Sequence, residues 1–505
     1  MRKKWRKILS FIVSVARATT IDILPDDALL QIFDFCRVSH EPDEPPFHPV
    51  WEWQRLIHVS RRWRQIIFSS PRRLELYLLC KRGTPVRKNL DIWPTFPIVI
   101  DYYFSSYIPI SPDDDDNIIA ALEHSDRVRC LTLPVTSSLL GKVATVVAQE
   151  PFPALTQLQL SLEDGSVSVL PREFLGGSAQ RLREMHLEGI PFLTLPTFLS
   201  SASDLVFLSL RRIPHTGYIS PEVMVASLAA LTSLDFLRIE FQSSTSRPDQ
   251  CVSIRRRAAP PTRIVLQSLN AFKFLGASEY LEDLVARIDA PRLSFISITY
   301  FNQLAFQVPQ LFRFIGRSQI IEQAMDAAVY SFSSNISLSL LSGPAEHRRP
   351  SLYLQISCRG LDWQVSHLAE VLSQSSAVLP NVHHLTIYED IPSPRWQGEV
   401  DDVEWLALFR QFTALETLRI SGRQTGQVAH ALNNVTVEMV PEILPALRVL
   451  FLKYEPAGRI EKFITARQLA GLSPIAIANT EATRIMVIAE QHAETSSGPG
   501  DYENI

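Results

Sequence analysis

From residue 128 to residue 452 one spacing keeps returning, apolar-x-x-apolar-x-apolar. It occurs as Val128-Leu131-Leu133, Leu155-Leu158-Leu160, Leu182-Met185-Leu187, Leu205-Leu208-Leu210, Leu234-Leu237-Ile239, Leu269-Phe272-Phe274 and Leu293-Ile296-Ile298. It resumes as Val382-Leu385-Ile387, Leu415-Leu418-Ile420 and Leu447-Leu450-Leu452. The last two apolar positions of each copy are two apart, which puts them on one face of a β-strand. Several copies place Pro or a small residue before the first apolar position, as in Phe152-Pro153-Ala154, Ala290-Pro291-Arg292, Leu379-Pro380-Asn381 and Leu444-Pro445-Ala446. Between copies, residues 221–231, 281–288, 363–372 and 403–412 carry apolar residues three and four apart, which predicts helices. Copies are mostly 23 to 35 residues apart. Self-similarity at such a period predicts a stack in which each unit buries the apolar face of its neighbour. Residues 299–380 break the pattern, although Leu338-Leu340 and Leu352-Leu354-Ile356 alternate as strands do. Uneven β–α alternation also fits a compact α/β domain built on one parallel sheet.

Upstream, the period changes. Leu24-Pro25 opens a predicted helix with Leu29, Leu30, Ile32, Phe33 and Cys36 at helical spacing. Pro25 suits a first turn, where its missing N–H costs nothing, and Asp26 and Asp27 suit the positive end of the helix dipole. A second segment carries Trp53, Leu56, Ile57, Val59, Trp63 and Ile67. Two short helices cannot bury that much apolar surface on each other. The surplus predicts a partner, or a plain helical hairpin packed on the rest of the chain.

The run Leu24-Pro25-x-x-x-Leu29-Leu30-x-Ile32-Phe33, followed by Val59-Ser60-Arg61-Arg62-Trp63-Arg64-x-Ile66, resembles an F-box. The resemblance implies a small helical module that docks on the Skp-type linker subunit of cullin–RING ubiquitin ligases. Leu24, Pro25, Leu29, Leu30, Ile32 and Phe33 match the first helix of that family, and Val59, Trp63 and Ile67 match its last. Ala28 stands where a larger aliphatic residue is common, and residues 39–50 lengthen the connection between the helices. The downstream spacing is similar to that of leucine-rich repeats, without the Asn or Cys that closes a strict repeat. The combination resembles the large, divergent F-box families of mushroom-forming fungi. The implied fold is α plus α/β, a helical F-box module (21–70, insertion at 39–50) followed by an irregular leucine-rich-repeat-like β/α solenoid (126–475). Residues 71–125 are expected as a linker, and 476–505 as a tail, disordered from about 490 on composition.

In such a strand the positions between the apolar residues face away from the core. Most are polar, as a solvated face requires. Phe207, Phe236, Phe295 and Phe451 break that rule, and Arg238 and Arg419 lie near them in the same outward rows. Exposed aromatics beside arginines are the composition of a protein-binding hot spot. A register slip of one residue would instead turn these rings into core.

Composition narrows the class. A chain of 505 residues with 46% hydrophobic and 20% charged residues has room for several domains or one long array. A net charge of −4 argues against a general nucleic-acid binder. Cys36, Cys80, Cys130, Cys251 and Cys358 are scattered, odd in number and without CxxC spacing, which fits a reducing compartment. Residues 1–20 form a basic leader: Arg2, Lys3, Lys4, Arg6 and Lys7 precede the apolar run 8–16 and an Ala16-Arg17-Ala18 resembling a cleavage site. The run is too short to span a bilayer. An F-box requires a cytoplasmic or nuclear address, so no membrane partner is expected.

No Gly-rich phosphate loop, GxSxG elbow or HExxH motif is present. Asp113 to Asp116, and the cluster Glu399, Asp401, Asp402 and Glu404, read as solvated helix starts. His383 and His384 are adjacent in a strand and point to opposite faces. Arg255-Arg256-Arg257 reads as a loop. No catalytic residue, metal site or cofactor is expected. The expected function is a non-catalytic receptor that holds a target protein beside a ligase. The alternative is a repeat scaffold whose F-box-like helices only cap the array.

Overall fold

The computed structural model describes residues 24–35, 56–70 and, with interruptions, 75–478; the longer interruptions are 103–110, 245–262, 343–348, 390–400 and 453–459. The leader 1–20, the insertion 39–50, Cys36, Cys251, Arg255 to Arg257 and the tail beyond 478 lie outside the described residues. The chain divides into two compact units, Met1–Phe301 with Arg317–Gln319, and Asn302–Gly316 with Ile320–Ile505.

The first unit opens with helices α1 (Asp26–Phe35) and α2 (Arg61–Ser69). The N–H groups of Ala28 and Leu29 donate to the Pro25 carbonyl, so α1 starts at the Leu-Pro pair. Ser60 caps α2 by accepting from the Trp63 N–H at 3.1 Å. The Arg62 guanidinium ties the two starts together, donating to the Leu24 carbonyl (2.7 Å) and the Asp26 carboxylate (2.6 Å).

Next come β1 (Leu76–Tyr77), α3 (Val86–Ile92), β2 (Ile98–Asp101), α4 (Asp115–Leu122), β3 (Val128–Val135) and α5 (Ser137–Val147). The unit continues through β4 (Gln157–Leu162), β5 (Glu184–Glu188), α6 (Leu195–Leu199), β6 (Phe207–Ile213), α7 (Pro221–Leu228) and β7 (Phe236–Phe241). It ends with β8 (Ile264–Val265), β9 (Ala271–Gly276), α8 (Ser278–Val285), β10 (Ile288–Asp289) and β11 (Phe295–Tyr300). β1 to β7, β9 and β11 form one parallel sheet in chain order; β8 and β10 pair separately. Chain-order parallel pairing is that of a solenoid-like stack; a doubly wound domain would reverse its strand order.

A small device repeats at each strand. The N–H of the first apolar residue donates to the carbonyl three residues earlier: Leu155 to Phe152, Leu182 to Ala179, Leu205 to Ala202, Leu234 to Leu231, Leu269 to Leu266 and Leu293 to Ala290. Each accepting residue is itself apolar and buried. Pro153 and Pro291 occupy the second position of this turn, where a fixed φ favours it. The working repeat is therefore one apolar position longer than the six-residue spacing. The two inward residues of β4 to β7, β9 and β11 are at most 4% exposed.

The second unit holds α9 (Pro309–Ile315), then β12 (Ala324–Ser331), β13 (Asn335–Ser342) and β14 (Arg349–Ser357). These three strands are antiparallel and explain why 299–380 breaks the repeat. Helix α10 (Leu361–Ser373) follows, and β12 then pairs parallel with β15 (His384–Glu389). The stack resumes with α11 (Asp402–Phe409), β16 (Thr417–Ile420), α12 (Gln424–Asn433), β17 (Val449–Leu452), α13 (Glu461–Leu469) and β18 (Ala476–Ala478). The same turn recurs, Val382 to Leu379, Leu415 to Phe412 and Leu447 to Leu444.

Two boundaries differ from expectation. Residues 71–125 are no linker, because β1 and β2 extend the parallel sheet ahead of β3. Ala476–Ala478, expected in the tail, instead form β18, which pairs parallel with β17.

Candidate functional site

In the helical pair, the nine residues expected to dock a partner separate into two groups. Leu29, Phe33 and Ile67 are fully buried, Leu30 and Trp63 nearly so, and the Phe33 and Trp63 rings lie 5.0 Å apart. These five are interior residues of the packed pair. Pro25 is exposed, Leu24 half-buried, Ile32 37% exposed and Val59 58% exposed. The outward apolar surface is thus Leu24, Pro25, Ile32 and Val59. At the far end of α2, the Phe68 ring lies 6.0 Å from Trp93 and 6.3 Å from Phe96, just ahead of β2.

The second surface is the strand face turned away from the core of the first unit. Cross-strand register puts Glu184, Phe207, Phe236, Ala271 and Phe295 in one row, and His186, Ser209, Arg238, Lys273 and Ser297 in the next. Phe207, Phe236 and Phe295 are half-buried, so the outward register holds. The rings form a ladder. Phe207 and Phe236 stack at 4.0 Å with planes 5° apart, and His186 stacks on Phe207 at 4.5 Å. The Lys273 ammonium sits over both Phe236 (5.9 Å) and Phe295 (5.7 Å), bridging the rings across β9. Sequence spacing places Lys273 and His186 on this face. Their ring contacts depend on neighbouring repeats and have no sequence signal of their own.

Beside the ladder runs a chain of ion pairs. Arg211 reaches Glu188 (3.1 Å) and Glu240 (3.3 Å), Arg238 reaches Glu240, and Arg212 reaches Glu188 (3.0 Å). A bulge in β6 makes this possible: the register slips between Leu210 and Ile213, and Arg212 adopts φ 47°. Both arginines thereby converge on Glu188, and Arg212 also donates to the Leu162 carbonyl.

Burial, followed by the Arg238 and Arg211 cations, pulls the His186 pKa down to about 4. Burial and the same two cations also lower that of Lys273. His186 is therefore neutral at pH 7, and the folded state resists its protonation. Because the folded pKa lies below the unfolded one, its contribution is intact above about pH 6.5 and is lost as pH falls toward 4. Urea midpoints at pH 7 and pH 5 should show a smaller loss for His186→Phe than for the wild type.

In the second unit, Arg419 lies 4.5 Å over the Phe451 ring, on paired positions of β16 and β17. Of the six outward residues singled out in sequence, Phe207, Phe236, Arg238 and Phe295 belong to the first unit, and Arg419 and Phe451 to the second.

The remaining candidates are structural. Ser111 and Asp114 form a capping box, and Asp115 pairs with Lys142 at 2.8 Å. Asp114 and Asp115 are each 5% exposed, so only part of the acidic run is a solvated helix start. Asp401 caps α11 through its carboxylate. His384 is exposed on the outward strand face, while His383 lies just before β15, 4.0 Å from Glu416. Cys80, Cys130 and Cys358 are buried and in no disulfide, and burial pushes the Cys80 and Cys130 thiols up to about 12. Among the described residues no group of three or more His, Cys, Asp or Glu is placed to hold a metal ion. No described helix is long and apolar enough to cross a membrane.

No family model and no curated protein matches the sequence. Among solved structures, the chain is similar to the leucine-rich repeat-containing protein LegL7 from Legionella pneumophila. The likeness has 14% identity over 80% of this chain and 99% of that one, with a TM-score of 0.24, and is too distant to carry an argument about this chain.

Proposed function

We propose that this protein is a substrate receptor: its F-box-like helices dock on the Skp-type linker subunit of a cullin–RING ubiquitin ligase, and its repeat face holds a target protein. The observation that carries the docking half is the division within the helical pair. Five F-box positions are used in packing, yet Ile32, Val59 and Pro25 remain exposed and Leu24 half-exposed. Exposed apolar side chains on a small module that has already built its core are what a partner would cover. The half-exposed ring ladder supports target binding in the same way. In this reading the chain contributes proximity. It raises the target's effective concentration beside a ubiquitin donor carried by other subunits, and none of its own residues acts on a reacting bond.

The test is co-purification with the linker subunit. Ile32→Asp and Val59→Asp should each weaken capture at least tenfold while leaving the circular dichroism spectrum unchanged, because both side chains are surface groups. Capture unaffected by either variant, or absent in the wild type, would end the docking reading.

One observation favours a second reading. The Phe68, Trp93 and Phe96 contacts join α2 to the first strands, as a capping element of a stack would be joined. A pure cap predicts no linker capture.

A further inference from the structure

We propose that the ladder face of the first unit selects an acidic peptide segment, in which a carboxylate seats on Lys273 while a neighbouring apolar side chain rests on Phe207 and Phe236. The inference rests on the target-binding half of the proposed function and adds the chemistry of the segment.

Charge is the first support. Glu188 and Glu240 are already engaged, by Arg211 with Arg212 and by Arg211 with Arg238 respectively. Lys273 has no carboxylate within ion-pair distance among the described residues, and its ammonium rests on two rings instead. It is half-buried, and the arginines beside it add to the local positive field. Glu240 acts on it only from beyond ion-pair distance and is shared by two arginines, so this partly desolvated cation gains from an incoming anion.

Ring geometry is the second support. The Phe207 and Phe236 faces are used against each other, and His186 covers the remaining face of Phe207. Stacked across adjacent strands, the rings stand on edge from the sheet. Ring edges carry the positive side of the aromatic quadrupole and favour carbonyl and carboxylate oxygens. A nucleobase needs an open ring face to stack on; both faces of Phe207 are used, and the Lys273 ammonium sits over Phe236. A peptide needs only edges, apolar contact and one cation.

The experiment is selection of a random dodecapeptide phage library on the full chain, with Lys273→Met and Lys273→Glu as comparators. Wild type should enrich peptides with Asp or Glu next to an aliphatic or aromatic residue. Replacing that acid by its amide should weaken binding about tenfold in wild type and leave Lys273→Met unchanged. Lys273→Glu should shift the enriched set toward Lys and Arg. Peptides that depend on Phe207 and Phe236 but show no acidic preference would overturn the inference and spare target binding by this face. Enriched peptides indifferent to both rings, or no enrichment at all, would overturn both. Displacement of the selected peptide by single-stranded oligothymidine at equal concentration would also overturn it, in favour of a nucleic-acid ligand.

Discussion

Arg467→Met is expected to destabilise the end of the second unit by about 3–5 kcal/mol, among the largest effects of any single substitution in the chain. The Arg467 side chain is 1% exposed and has no carboxylate within ion-pair distance among the described residues. Its guanidinium donates to the carbonyls of Leu444 (2.8 Å), Pro445 (3.2 Å) and Leu447 (3.0 Å). Those carbonyls belong to the turn that leads into β17, where Leu444 adopts φ 53°. Burying a cation without an anion is costly, and burial lowers the Arg467 pKa accordingly. Replacing a buried ion pair by an apolar residue is often neutral because both charges leave together. Here only the donor leaves, and three turn carbonyls lose a charge-assisted partner. The loss should appear as faster hydrogen exchange in β17 and α13, with the first unit unchanged. Exchange unaltered in β17 would mean that water or a neighbouring donor satisfies those carbonyls and that the guanidinium is dispensable.

Trp63→Ala is expected to cost about 3–5 kcal/mol of local stability, the range for emptying a large aromatic site in a packed interior. Trp63 is the hinge of the helical pair, packed on the fully buried Phe33, and its own N–H closes the cap from Ser60. A pair this small has few other contacts to offset the cavity. Limited proteolysis should cut between residues 24 and 70 in the variant while β3 to β11 stay protected. Protection lost through the sheet as well would favour the capping reading, because a stack that depends on its cap opens when the cap melts.

Much of the array was legible in advance because a strand in a stack has a simple code. Positions such as Leu158 and Leu160 must be apolar, since only the next repeat shields them, and period two assigns the face without further information. The apolar residue three before the first Leu, as at Phe152 or Phe412, was equally available in sequence. It reads as part of a loop until the turn hydrogen bond gives it a reason. Strands β1 and β2 were not legible. By register Ile98 and Ile100 face Val128 and Leu131 of β3, and Leu76 faces Ile98, but a slip between Ile98 and Val99 sets the first two apolar positions two residues apart where the repeat has three. The antiparallel strands β12 to β14 show alternation, but pairing direction is set by how the chain returns, not by which residues alternate.

The surface sorted differently. Helical spacing marks Leu29, Ile32 and Phe33 alike as apolar, yet two are buried and Ile32 is exposed, because the neighbour that covers them comes from far along the chain. The outward positions of Phe207, Phe236, Arg238 and Lys273 followed from period two alone. That Phe207 meets Phe236, that Lys273 rests on two rings, and that Arg211 and Arg238 share Glu240 did not. Which side of each strand faces the core can be read from the residues alone, since a buried face must be apolar wherever it lies. Which outward residues touch is set by the folded stack, because repeats mostly 23 to 35 residues apart are brought side by side by the stacking and by nothing local.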